Sequence, residues 1–241
     1  MLSFIKAALM LAVIAFFAQG AACQAVTDGG VSLSKTRLIF LSTDKGKTLT
    51  VGNSSDAHYL IQVRNVCDRH SDKSGPFSVT PPLFTLTGHQ QQRLRILKNS
   101  DDMPADRESL SYLVVMAIPA QAEPAVPADK SKAARLSVGF RFTIKVLYRP
   151  AMLSVPRTDA AAGLKIHQKA GGIEIVNPGP YYLTLARLFT DNLHNSILAR
   201  PLTIPPFNRA VVKTDHRAHS VSWCVINDYG AFSKIYHSDV P

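Results

Sequence analysis

Few side chains in this sequence are spaced for catalysis or metal binding. His216 and His219 form the one close pair among eight dispersed histidines. A metal site needs three or four converging ligands, so this pair reads as part of a solvated loop. No Gly-x-Ser-x-Gly elbow, Walker loop or Cys-x-x-Cys occurs, which removes the usual local supports of nucleophilic, nucleotide and redox chemistry. Neither catalytic residues nor a metal or cofactor are expected. Cys67 and Cys224 lie far apart in the chain; two buried thiols are the preferred reading, with a disulfide left open because spacing alone does not decide it.

The chemistry that remains is recognition. Leu136, Val138, Phe140, Phe142 and Ile144 alternate with Ser137, Gly139, Arg141, Thr143 and Lys145, a period of two that predicts a strand with one apolar and one polar face. Such a strand either covers its own sandwich core or, at a sheet edge, offers apolar side chains and backbone groups to another chain.

The elements around it are also strands. Short Val/Leu/Ile/Thr/Tyr runs, 15 prolines and 13 glycines favour sheets joined by turns. A first set is expected at Val31–Phe40, Lys47–Val51, His58–Val66, Phe77–Thr80, Gln92–Leu97 and Ser109–Ile118, with a break at Pro81-Pro82 suited to a cis peptide and a mobile loop over Pro119–Ala134. A second set covers Leu164–His167, Gly172–Asn177, Tyr181–Phe189, Ala210–Lys213, Ser220–Ile226 and Phe232–Tyr236. Pro150 and Pro156 bracket the connection between the sets. The fold class is therefore all-β in two domains, residues 26–149 and 150–241, after an approximate 1–25 signal peptide. Lys6, the apolar run Ala7–Ala18 and the small residues up to Val26 make that signal. The run is too short to span a bilayer, so the exported protein is expected to be soluble rather than membrane-embedded. Cleavage leaves it one charge below its formal +10. Its Lys and Arg residues are scattered singly among apolar ones, which together with export argues against nucleic acid.

Several strings, taken in order, resemble the periplasmic pilus-chaperone family of the chaperone/usher pathway. They are Thr36-Arg37-Leu38-Ile39-Phe40, Tyr59-Leu60-Ile61-Gln62, Thr80-Pro81-Pro82-Leu83-Phe84, Leu94-Arg95-Ile96-Leu97, Asp106-Arg107-Glu108-Ser109-Leu110, Ile144 to Ala151, Asn177 to Thr184, and Ile226 to Ala231. The resemblance implies two immunoglobulin-like sandwiches in an L and a periplasmic, non-enzymatic role. The implied partners are pilus subunits and an outer-membrane usher. By position, Arg37 and Lys145 would hold a subunit's terminal carboxylate, as charge-assisted bonds to two cations in a dry cleft allow. Leu136, Val138, Phe140 and Phe142 would be lent to the subunit's incomplete core. Lys145 is odd in parity where these are even, so a twist or bulge is expected between them. Glu108, Arg149 and Asp228, with Arg95 nearby, would form a charged group fixing the interdomain angle. Self-association would be one way for the free protein to shield its strand. The alternative reading is an exported adhesion or carbohydrate-binding sandwich.

Overall fold

A computed structural model describes residues 30–100, 102–120, 138–191 and 195–240. Among them there is no helix. The first sandwich contains β1 (Val31–Leu33), β2 (Arg37–Leu41), β3 (Lys47–Asn53), β4 (Tyr59–Val66), β5 (Phe77–Thr80), β6 (Leu83–Leu86), β7 (Gln91–Lys98), β8 (Ser109–Pro119) and β9 (Phe140–Arg149). The second contains β10 (Lys165–Lys169), β11 (Gly172–Asn177), β12 (Leu183–Thr190), β13 (Leu202–Ile204), β14 (Asn208–Lys213), β15 (Ser220–Val225) and β16 (Tyr236–Asp239).

Alternation decides which side chains enter each core. In β4, Tyr59, Ile61 and Val63 are buried while Leu60 and Gln62 face solvent. In the first sandwich the sheet β1-β3-β7-β5 packs against β2-β9-β8-β4-β6; in the second, β10-β11-β14 packs against β13-β12-β15-β16. The predicted Val31–Phe40 strand is two strands, because the chain leaves one sheet and joins the other at the polar stretch Ser34-Lys35-Thr36. Ser34 secures the departure by accepting from the Thr50 amide and donating its own amide to the Thr50 carbonyl, both at 3.0 Å.

The two cores are separate, one of residues between Val31 and Tyr148, the other between Ala160 and Val225. Buried amides tie down the turns that no ladder satisfies. Asn177 Nδ2 donates to the carbonyls of Tyr181 (2.7 Å) and Pro205 (2.9 Å), while its Oδ1 accepts from Gly179, which shapes the Asn-Pro-Gly-Pro turn. Trp223, 2% exposed, donates to the Ala161 carbonyl at 3.0 Å and stacks on Tyr236. The Thr80–Pro81 bond is cis. The predicted Phe232–Tyr236 strand is displaced: Phe232 makes only an isolated bridge to Ile226, and β16 begins at Tyr236. The loop expected over Pro119–Ala134 lies, beyond Ala120, outside the described residues.

Candidate functional site

Arg37 is the first residue of β2, and it stands directly opposite Lys145 across the parallel β2–β9 pair. Register partners share a face of the sheet, and this face looks toward the second sandwich. Arg37 Nη1 donates to the Ile226 carbonyl at 3.2 Å. Lys145 Nζ donates to Thr184 Oγ1 at 2.8 Å and to Thr203 Oγ1 at 2.5 Å, side chains that are themselves register partners on β12 and β13. The two cations thus lie on the wall of an interdomain cleft of about 580 Å³, which also takes in Arg69, Tyr112, Thr143 and Arg200.

Among the described residues neither cation forms an ion pair with a carboxylate. Burial, then the charges of Arg37 and Arg69, lowers the Lys145 ammonium to about 8. Burial likewise pulls the Arg37 guanidinium below its usual value, with Asp228 opposing. Arg37 Nε is buried without a hydrogen-bond partner. Neutral hydroxyls satisfy the ammonium's donors but not its charge. A carboxylate entering the cleft would offset the paired positive charge.

The strand leading to this point has an open side. Phe140 to Ile144 pair with β8 on one edge, whereas β2 begins only opposite Lys145; among the described residues, no strand covers the other edge of that segment. Val138 is 54% exposed and Phe140 42% exposed, Phe140 resting against Tyr59 with ring centroids 6.5 Å apart. Phe142 corrects the sequence reading, since it is partly buried against the core of its own sandwich. Leu136 lies outside the described residues. The expected bulge is also absent, because the β8–β9 register runs unbroken from Ser109↔Tyr148 to Ala117↔Phe140. Parity is simply kept. Arg141, Thr143 and Lys145 share the cleft face, and Phe140, Phe142 and Ile144 share the other.

Polarity follows from this geometry. A chain that adds to the open edge and ends at the two cations takes over the line of β2 just before Arg37, so it must run parallel to β9.

At the far end of β9, Arg149 joins the two sandwiches. Its Nε donates to Glu108 Oε1 at 2.7 Å, and its two terminal nitrogens donate to Asp228 at 2.7 and 3.0 Å. Glu108, with a fully buried side chain, accepts through Oε2 from the Tyr182 amide at 2.8 Å. Arg157 adds a 3.4 Å ion pair to Asp228, and both arginines lie over the Tyr181 ring. Burial opposes the Arg149 charge, but the Asp228 and Glu108 carboxylates outweigh it and hold the guanidinium more firmly protonated than usual. Arg95, expected nearby, is not part of this network. It sits exposed on β7, paired in register with Thr48 and Thr80 on the opposite sheet. Gly230 (φ +89°) brings the 227–231 turn against β2's approach: a Cβ there would lie 2.3 Å from Thr36 Oγ1.

Cys67 is exposed, its thiol donating to the Ser74 carbonyl, while Cys224 is buried in the other sandwich; the expectation of two buried thiols fails for Cys67, which follows β4 into a surface turn. His216 lies 3.3 Å from Thr190 Oγ1 and 3.8 Å from Asp191. Thr203, Arg157 and the Ile226 carbonyl were not anticipated as parts of the site. Thr184 closes one of the motif strings, yet nothing in its type announces a lysine contact.

Residues 30–154 match the family described as pili and flagellar-assembly chaperone, PapD N-terminal domain, and residues 159–237 match pili assembly chaperone PapD, C-terminal domain. The chaperone protein FimC of Escherichia coli K12 is 37% identical over 232 residues, covering 93% of this chain and 90% of that protein. The crystal structure of the E. coli chaperone DraB superposes with a TM-score of 0.74 at 31% identity, over 88% of this chain and 98% of that one. The Salmonella enterica SafB chaperone, solved in complex with the SafA pilin, gives 0.73 at 28% identity over 87% and 96%.

Proposed function

We propose that this chain, which belongs to the family of PapD-type pilus-assembly chaperones, binds pilus subunits in the periplasm and hands them to an outer-membrane usher. It is exported by residues 1–25, works through the two units 26–149 and 150–241, and acts by binding rather than by catalysis. Strand β9 completes a subunit's sandwich: its open edge supplies the ladder, and Leu136, Val138 and Phe140 supply the missing apolar side chains. Arg37 and Lys145 hold the subunit's terminal carboxylate and so set its register. Glu108, Arg149 and Asp228 keep the cleft at a fixed width.

The observation that supports this reading is a pair of cations that, among the described residues, form no ion pair and stand where β2 begins, at the end of a β9 edge that no described strand covers. The energies are adequate. Burying three apolar side chains contributes about 1.5–3 kcal/mol each, and each ladder bond adds about 0.5–1.5 kcal/mol, against the ordering cost of association. Co-expression with a candidate subunit tests it. An intact subunit should co-purify one to one, whereas a subunit lacking its C-terminal residues, or the Arg37→Ala chaperone, should not form the complex. Retention of the truncated subunit would refute the anchoring role.

A further inference from the structure

The cleft holds more positive charge than one terminal carboxylate needs. Arg69 and Arg200 line it beside Arg37 and Lys145, from the first and second sandwich respectively. Arg69 lies over the Tyr112 ring at 5.3 Å, and Tyr112 is the register partner of Lys145. The Arg69 backbone carbonyl accepts from Arg141 Nη2 at 3.4 Å, so a cleft-facing residue of β9 braces the turn that carries Arg69. Among the described residues neither Arg69 nor Arg200 has an ion-pair partner. Asp68, the one acid of this cleft lining, is turned into its own loop and accepts from the His70 amide at 2.8 Å. Four cations against this one carboxylate leave the lining net positive where a guest strand would pass.

We infer that the cleft reads a second feature of its guest: an acidic side chain on the cleft-facing side of the guest's last residues, received between Arg69 and Arg200. The inference rests on the anchoring proposed above and adds a specificity to it. A strand on the open edge, parallel to β9, turns alternate side chains toward the face bearing Arg141 and Thr143, while the intervening ones lie on the side of Phe140. Acidic residues at cleft-facing positions meet Arg69 and Arg200; apolar ones there would take water from these cations without pairing them.

The test uses the full exported chain and fluorescent peptides of alternating valine and threonine ending in a free carboxylate. Two pairs are compared, each differing by Glu against Gln, one pair at the penultimate position and one at the antepenultimate. Because side chains alternate, one frame should prefer Glu by about five- to tenfold at low salt, the preference fading in about 1 M salt. Arg69→Gln with Arg200→Gln should erase the preference, so that Glu and Gln peptides bind alike, whatever uniform weakening the loss of two cleft cations brings. Equal binding of Glu and Gln in both frames, preference in both frames alike, or a preference that survives the double variant would overturn the inference alone. Failure of every peptide to bind, or binding unaffected by C-terminal amidation and by Arg37→Ala, would overturn the anchoring and the inference with it.

Discussion

Arg37 and Lys145 face each other across two parallel strands, each bonded to the opposite sandwich and neither ion-paired with an acid among the described residues. Two like charges are thereby held in a partly dry cleft, an arrangement that costs the free protein stability and is relieved by an incoming carboxylate.

Lys145→Met should therefore separate stability from function. The uncharged side chain removes a desolvated ammonium and leaves Thr184 and Thr203 within 3.4 Å of one another. Thermal denaturation should show equal or higher stability. Subunit affinity should fall by about 1.5–3 kcal/mol, the worth of a hydrogen bond to a charged group, roughly tenfold to a hundredfold. A variant less stable than the parent, with affinity intact, would contradict both halves.

The pH dependence has a definite sign. Lys145 titrates near 8 in the free protein against 10.5 for an ordinary lysine. Between those values the unfolded chain binds more protons, so this residue's penalty is full below pH 8 and is relieved as pH rises toward 10.5. A bound carboxylate restores the charge. Affinity for a subunit tail should be flat below pH 8 and weaken by up to about tenfold per unit above it. Titrating binding from pH 7 to 9.5 checks this, and Lys145→Arg, which stays charged, should flatten the profile.

Glu108→Ala should damage the junction rather than the carboxylate site. It leaves Arg149 with Asp228 alone and frees the Tyr182 amide, which for a broken buried pair costs about 3–5 kcal/mol. Small-angle scattering should report a changed interdomain angle. An unchanged angle together with unchanged subunit binding would show that the network does not orient the sandwiches.

Gly230→Ala should also loosen the junction, by a steric route. The new Cβ meets Thr36 Oγ1, and the φ of +89° is one that side chains rarely adopt. A loss of about 1–3 kcal/mol is expected. Thr36→Ala in the same chain should recover only the collision, leaving the backbone strain measurable by denaturant unfolding.

The sequence was most informative where a pattern ran long. Ten residues of alternation announced β9. Short elements gave no comparable signal: β6 and β13, with four and three residues, are too brief for a period to emerge. The crossing at Ser34-Lys35-Thr36 was hidden because a strand that changes sheet keeps its extended, alternating character. Parity at Lys145 looked like a conflict demanding a bulge only while lysine and apolar residues were assumed to meet the guest on one face; an edge strand uses both. Arg95 was misread because its apolar neighbours resemble any strand's, and its distance from Arg149 is a matter of which sheet carries β7. Cys67 followed the same logic, as one residue beyond β4 separates core from surface.

The parallel alignment of β2 with β9 has a bearing on timing. A protein threaded across a membrane from its first residue exposes its final carboxylate last of all. On the proposed anchoring, a grip that begins at that carboxylate fastens a guest in register only after translocation has finished, and would pass over half-delivered chains while retaining whole ones.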